Sequence, residues 1–386
     1  MPRHHSDGGR HLVKAKRKHP RVSRVPRRWN APCTHTECSL HQLSPYIGKL
    51  KSSIARDLVE EFSHPGDLVL DPFCGAGTIA LEAKLLGRKV FASDISPYSR
   101  LLSRAKLFAP PTLGGAMAQA ERVFNRAERL PDGRIPEAPA WVRRFFHPRT
   151  LREVLRFAVA CREGESEFSF ACFLGILHHQ RPGFLSYPSS HLVPYLRDKK
   201  YPRRDYPEMY GYRDIASRLF PKLLRAYARA PEEYPRNGAA FRLSSAQNLS
   251  FPNRFDSVIT SPPYMNALDY RRDNRLRMWF IDPDYSRPID ADAKKQQAQF
   301  KAIVTALARG VQSGLKRSGH CVIVVGEQVS RSFEAHPADV VCAIMGREAP
   351  SLVLERVMVD TIPDVRRSRR HCDGTKRERF LVFRRK

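Results

Sequence analysis

The 386-residue chain contains no run of 18 consecutive apolar residues, so no membrane-spanning helix is expected. Its Arg-, His- and Lys-rich start lacks the apolar stretch of a secretory signal, which points to the cytoplasm. Cysteine is scarce, eight in all, which excludes the disulfide scaffold of a small secreted domain. Cys33 and Cys38, with His35 and His41 close by, suggest a small metal site, yet no second ligand pair of zinc-finger spacing follows. Free thiols and no structural metal are therefore expected. Acid is scarce as well: 39 Asp and Glu face 67 Lys and Arg, a formal charge of +28. A small acidic metabolite would not need such a surplus. A polyanionic partner would, and nucleic acid is the simplest one.

Residues 1–30 carry ten basic residues and one acidic one. Such a segment buries too little apolar surface to fold, so a disordered basic arm is expected, extending to about residue 40. The rest of the chain keeps +19 of the charge, so the folded body is basic too. From Leu50 the pattern becomes regular. Ile54, Leu58, Val59 and Phe62 lie at helical spacing, stopped by His64-Pro65-Gly66. Leu68–Leu70 reads as a strand, Thr78–Leu86 as a helix and Val90–Ala92 as a second strand ending on Asp94. That is one βαβ unit of a doubly wound sheet. Residues 101–238 read as mostly helical, with a Pro-, Tyr- and Arg-rich loop near 181–213. The strand rhythm returns at Asp256–Thr260 and Cys321–Val325. Leu352–Val359 and Arg379–Phe383 suit a terminal antiparallel pair.

Gly75-Ala76-Gly77-Thr78-Ile79-Ala80 fits G-x-G-x-x-[GA] between a strand and a helix, a weak signal taken alone. Asp71, immediately before the loop, would repel a pyrophosphate and suits instead a ligand carrying an ammonium and a sulfonium, as S-adenosylmethionine does. Asp94 can accept from both ribose hydroxyls. The plainer alternative is a tight turn that only packs a helix on a sheet. Farther along, Asp256-Ser257-Val258-Ile259-Thr260-Ser261-Pro262-Pro263-Tyr264 is the most specific string in the chain. Two consecutive prolines remove two backbone donors and fix two φ angles. Ser261 and the loop carbonyls are then presented beside an aromatic ring, the parts needed to hold a planar exocyclic amine.

The stretch Asp71–Thr78 with Asp94 closely resembles motifs I and II of the amino-methylating class I methyltransferases, and Tyr46-Ile47-Gly48-Lys49 resembles the segment that closes over the methionine moiety. Ser-Pro-Pro-Tyr looks like motif IV of DNA amino-methyltransferases, where Ser is typical of cytosine-N4 enzymes and Asp of most adenine-N6 enzymes. Leu268–Arg271 and Ile362–Ser368 are also similar to bacterial site-specific DNA methyltransferases. The resemblance implies that Lys49, Asp71, Pro72, Phe73, Cys74, Gly75, Gly77, Thr78, Asp94, Ile95 and Gln247 hold S-adenosylmethionine. It implies that Ser261, Pro262, Pro263 and Tyr264 serve the base, with Tyr264 stacking on it. Where the family has an acidic residue against the cofactor's adenine, this chain has Ser245, leaving Gln247 or Asn248 to take that contact.

The expected fold is thus α/β, a Rossmann-like class I methyltransferase sheet with a terminal antiparallel pair, interrupted by a largely helical insertion. Its parts are a basic arm (1–40), a cofactor-binding first half (41–100), the insertion (101–238) and a catalytic second half (239–386). The expected activity is methylation of cytosine N4, or next adenine N6, on a base flipped from a specific sequence in double-stranded DNA. A cognate restriction endonuclease and a bacterial or phage-encoded, nucleoid-associated setting go with it. In enzymes of this motif order the intervening segment resembles a target-recognition region. Residues 181–230 hold eleven Lys/Arg, four Asp/Glu and seven of the thirteen tyrosines, which suits phosphate and base contacts. A Tyr-rich helical subdomain with a solvated basic face is the plainer reading. Two rivals remain: an RNA guanine-N2 methyltransferase, and a non-catalytic nucleic-acid-binding module on the same fold, which should bind no cofactor.

Overall fold

The computed structural model describes residues 20–30, 37–46, 48–178, 184–187, 194–231, 238–243, 251, 254–263, 274–284, 293–327, 336–362 and 377–386. Its centre is one eight-stranded sheet. The strands are β1 (Arg21–Arg24), β2 (Leu68–Asp71), β3 (Lys89–Asp94), β4 (Ala239–Leu243), β5 (Phe255–Thr260), β6 (Leu315–Glu327), β7 (Leu352–Thr361) and β8 (Arg377–Arg385). Their spatial order is β1-β7-β8-β6-β5-β2-β3-β4. Every pairing is parallel except those of β8, which runs antiparallel between β6 and β7. Apart from the added edge strand β1, this is the class I methyltransferase arrangement expected from the motifs. Chain order reverses between β2 and β5. In open α/β sheets the crevice at the carboxyl ends of such a strand pair takes the ligand.

Strand alternation fills both faces. Leu70, Val258, Cys321, Ile323, Leu381 and Phe383 point to one face and pack under α11 (Ala293–Gly314) and α12 (Pro337–Glu348). Val69, Ile259, Val322, Val324, Phe380 and Val382 point to the other, under α1 (Ser52–Phe62) and α2 (Thr78–Leu85). Neighbours in sequence thus serve opposite layers, as a period of two requires.

The helical insertion follows α3 (Pro97–Leu107) and comprises α4 (Leu113–Arg129), α5 (Ala140–Arg143), α6 (Pro148–Glu163), α7 (Glu167–Leu177), α8 (Pro194–Lys200) and α9 (Ala216–Tyr227). It has its own apolar core, which α7 crosses fully buried. Two segments from outside the expected boundaries join that core. Cys38 and Leu40 enter it from the end of the expected arm, Leu43 from the start of the first half, and Leu276, Met278, Trp279 and Phe280 from α10 (Arg275–Ile281).

The expected basic arm also ends earlier than residue 40. Arg21–Arg24 form an edge strand parallel to β7, and the chain then turns so that Trp29 is buried. Its ring packs on Phe380 at 4.9 Å, and its indole N–H donates to Asp57 Oδ2 at 2.5 Å. A single tryptophan in a basic stretch outweighs the surrounding charge because its burial is worth several kcal/mol. Trp29→Ala should therefore destabilise the protein by about 3–5 kcal/mol in urea unfolding. An unchanged midpoint would mean that the strand and turn before α1 add nothing to the core.

Candidate functional site

The crevice at the ends of β2 and β5 is built from two turns. On the first, Asp71 closes β2 and the chain reverses through Pro72–Gly77 into α2. The Cys74 amide donates to Ser93 O at 3.0 Å, and the Gly77 amide to Cys74 O at 2.7 Å. Gly75 and Gly77 have φ of 49° and 69°, a left-handed backbone that favours glycine. Gly77 also lacks room for a side chain, since a Cβ there would lie 2.7 Å from Ser103 Oγ. A Cβ on Gly75 would meet the Tyr46 ring at 3.3 Å, so the loop is pressed under that aromatic.

Asp94 fastens the loop from the next strand. Its Oδ2 accepts from the Gly75 amide and its Oδ1 from the Ser96 amide, both at 2.9 Å. The Ser99 hydroxyl and the Ile95 amide also reach this carboxylate, so a diol would share its acceptor capacity with them. Ile95, beside it, is an exposed apolar side chain, half accessible. Thr78 opens α2 with its hydroxyl buried and without a hydrogen-bond partner among the described residues. Cys74 is buried against Ser103 Oγ at 3.3 Å, Phe73 is half-buried, and the Pro72 carbonyl accepts from Ser93 Oγ. Lys49 donates to the His41 carbonyl at 3.2 Å.

Beneath the loop lies a set of buried charges. Lys106 Nζ donates to the Ala76 carbonyl at 2.5 Å, and His41 Nε2 meets Glu82 Oε1 at 2.7 Å. Burial pushes Lys106 down and Glu82 up, each to about 7, and holds the His41 imidazole well below its usual range. Lys106 reads in sequence as one more helix lysine, and only the tertiary fold turns it toward the loop. Among the described residues no cluster of His, Cys, Asp and Glu is suited to a metal. Cys33 and His35 lie outside them.

The second turn follows β5. Ser261, Pro262 and Pro263 leave the strand, and Ser261 Oγ donates to the Val324 carbonyl of β6 at 3.4 Å. Tyr264, Leu268–Arg271, Gln247 and Asn248 lie outside the described residues. The two turns are joined directly. Thr260, the residue before Ser261, donates its hydroxyl to Asp71 Oδ1 at 2.7 Å, and both side chains are sealed from solvent. Asp71 is thus spent partly on the neighbouring strand.

That sealing has an electrostatic consequence. Burial pushes the Asp71 carboxyl up to about 7, with Asp94 adding to the rise and Thr260 opposing it. Asp94 is raised by burial as well. Two carboxyls held above their ordinary range at the mouth of a crevice are relieved by a cation. Glycines that bring the backbone close, a diol acceptor, an exposed apolar neighbour and surplus negative charge together fit S-adenosylmethionine. A bound sulfonium favours the ionised form of Asp71, so binding should release protons, and affinity should rise as pH increases from about 6 to about 8. Calorimetry in buffers of different ionisation enthalpy reads this directly. Asp71→Asn should flatten the dependence, and an unchanged pH slope would place the titration on another group.

The helix that follows this second turn in sequence is anchored in the insertion. Arg277, buried on α10, donates from Nε to the Leu174 carbonyl at 3.1 Å and from a terminal nitrogen to the His178 carbonyl at 2.5 Å. These are carbonyls at the C-terminal end of α7, which lack helical partners and attract a cation. In return Arg162 of α6 donates to the Phe280 carbonyl at the end of α10. Arg277→Met would strand buried carbonyls at a cost of about 1–3 kcal/mol. If the turn after β5 serves methyl transfer, the variant should slow that step while leaving S-adenosylmethionine affinity intact. Loss of both together would make Arg277 a residue of general stability alone.

Comparison with known proteins agrees with this geometry. Residues 13–103 match the N6/N4 methyltransferase family model, described as DNA methylase. The type II methyltransferase M.BsoBI of Geobacillus stearothermophilus is 23% identical over 290 residues, which cover 64% of this chain and 53% of that protein. M.MjaII, a type II methyltransferase of Methanocaldococcus jannaschii, is 31% identical over 68 residues, 18% of this chain and 13% of its own length. The orphan methyltransferase M.BamHII of Bacillus amyloliquefaciens is 33% identical over 69 residues, 18% of this chain and 26% of its own. The chain therefore spans about half the length of M.BsoBI and less of the other two. These matches support the resemblance to DNA amino-methyltransferases and imply S-adenosylmethionine as the cofactor.

Proposed function

We propose that this protein methylates an exocyclic amino group of a base extruded from double-stranded DNA at a specific sequence, with cytosine N4 preferred and adenine N6 next. The observation that carries this reading is the Thr260–Asp71 hydrogen bond, which sets the glycine turn beside Ser-Pro-Pro at the switch point of the sheet. S-adenosylmethionine, when bound, supplies an electrophilic methyl group on a sulfonium. The rest is positioning by this chain's own residues. Ser261 can accept one amine proton at its hydroxyl oxygen, and the Pro262 carbonyl can accept the other. Proline has no N–H, so the turn offers acceptors to the amine without competing backbone donors. The amine nitrogen forms its bond to the methyl carbon as the carbon–sulfur bond breaks, and one amine proton then leaves. No covalent enzyme intermediate is needed, and orientation with desolvation supplies the acceleration. Ring-carbon methylation would call for a cysteine nucleophile in this turn, and Ser261 stands there instead.

A cognate restriction endonuclease as partner, and a nucleoid-associated setting, belong to the same reading. Among the described residues no helix is long and apolar enough to cross a membrane.

The test is expression in a methylation-free host, followed by modification-sensitive sequencing of its DNA. N4-methylcytosine at one recurring sequence is the expected result. N6-methyladenine there would move the assignment to the second base, and unmodified DNA with methylated RNA would overturn it in favour of the RNA rival. In single-turnover assays Ser261→Ala should slow transfer on the order of a hundredfold, the scale for one preorganised polar contact. Cofactor affinity should barely change. A wild-type rate would reduce Ser-Pro-Pro-Tyr to a structural turn.

A further inference from the structure

Two tyrosines of the insertion loop do not serve the role that the number of rings suggests. Tyr187 and Tyr210 are almost wholly buried, with ring centroids 4.9 Å apart. Their faces are taken by guanidinium groups. Arg197 lies 5.1 and 5.3 Å from the two ring centroids, Arg203 lies 5.4 and 4.9 Å from them, and Arg213 lies 5.9 Å from that of Tyr187. Such stacking holds planar cations in fixed positions. Two of the three are also pinned from within. Arg197 is buried and donates to Asp198 Oδ1 at 2.6 and 2.9 Å and to the Arg144 carbonyl at 3.0 Å. Arg213 donates to the Ser186 and Met209 carbonyls.

Arg203 is different. It is exposed, and a terminal nitrogen donates to the Tyr187 hydroxyl at 3.1 Å. Lys199, Lys200 and Arg204 beside it are exposed as well. Acid is short here: residues 194–213 hold six Lys and Arg against three Asp and Glu. Asp198 is already shared between Arg197 and Arg144, and Asp205 is paired with Arg204. Among the described residues no ion pair joins a carboxylate to Lys199, Lys200 or Arg203. The neighbouring stretches 179–183 and 188–193 contain no acidic residue in sequence. Cations packed this closely repel one another, and an anion would relieve them. Repulsion from Arg218 and Arg197 adds to burial in pushing Arg213 down to about 10.

The surface also connects to the catalytic end of the molecule. Arg144, at the end of α5, meets Asp198 at 3.4 Å. On the same short helix Trp141 carries Arg275 over its ring at 4.3 Å. Arg275 opens α10, so a chain of contacts through α5 and Asp198 runs from that helix to the tyrosine pair.

We propose that Lys199, Lys200, Arg203 and Arg204, with Arg203 held on the Tyr187–Tyr210 pair, form a docking surface for the phosphodiester backbone of DNA, reading its charge and not its bases. This rests on the DNA reading of the previous subsection. Two buried rings cannot stack on nucleobases, whereas a fixed, under-compensated guanidinium suits a phosphate oxygen.

The test replaces all four with glutamine in the full-length protein and measures binding to a duplex of about 30 base pairs across a salt series. Each phosphate left without its cation should reduce the slope of log K against log salt by about 0.9, and affinity at low salt should fall tenfold or more. S-adenosylmethionine affinity should not change, which also reports that the variant is folded. If it does change, the double variant Lys199→Gln/Lys200→Gln, confined to exposed side chains, replaces it and should flatten the slope by the share of up to two phosphates. DNA affinity and slope equal to wild type would overturn the proposal, as would tighter binding to an RNA duplex of equal length. A wild-type protein that binds DNA through this surface but leaves it unmethylated would sink the proposed function alone.

Discussion

The site depends on one short hydrogen bond across the middle of the sheet. Thr260 and Asp71 are 189 residues apart in sequence, yet each immediately precedes one of the two turns that make the crevice. With both side chains sealed from water, the bond is worth more than its exposed equivalent, and breaking it would leave a buried carboxyl without its hydroxyl partner. The large insertion between the two turns is tolerable because β2 and β5 are neighbours in the sheet, wherever the chain travels between them. Asp94 repeats the device on the other flank, tying the end of β3 to the Gly75 amide. The glycine turn is held from both sides by carboxyl groups whose burial raises their proton affinity, so the loop's geometry and its preference for a cation have the same origin.

Much of this was legible in the sequence because its signals are local. A short apolar run, a carboxylate, two glycines and a helical period specify the strand–turn–helix of residues 68–85. Ser-Pro-Pro after Asp256–Thr260 specifies a strand that must end there. The late strands 352–361 and 377–385 are legible from their apolar content, and their antiparallel pairing emerges as expected. The segments that escaped are those whose structure comes from distant partners. Arg21–Arg24 is strand only because the edge of β7 offers its backbone a ladder, and charge composition alone reads it as an arm. Ala239–Leu243 carries two small residues and an arginine, and becomes β4 by pairing with β3.

The helical unit also draws apolar side chains from beyond the expected insertion, for a similar reason. Residues 38–43 and 276–280 are adjacent in sequence to the sheet's motifs but give their apolar side chains to the helical unit. Interleaved arginines disguise the second segment, since Arg277 looks like a surface residue until the ends of α7 and α10 are seen to exchange guanidinium contacts. The tyrosines of 181–230 were misleading in the opposite sense. Composition counts rings, and only packing reveals that Tyr187 and Tyr210 face each other and their arginines.

The anchoring of α10 ties the chain on either side of the second turn to different parts of the molecule. One end, at Thr260 and Ser261, is fixed to the sheet, and the other, at Asn274 and Arg275, starts a helix bolted into the insertion. The described residues on either side, Ile259 and Leu276, belong to two different hydrophobic cores. A shift of the helical unit against the sheet would therefore change the separation between Ser261 and Asn274, each fixed to a different core.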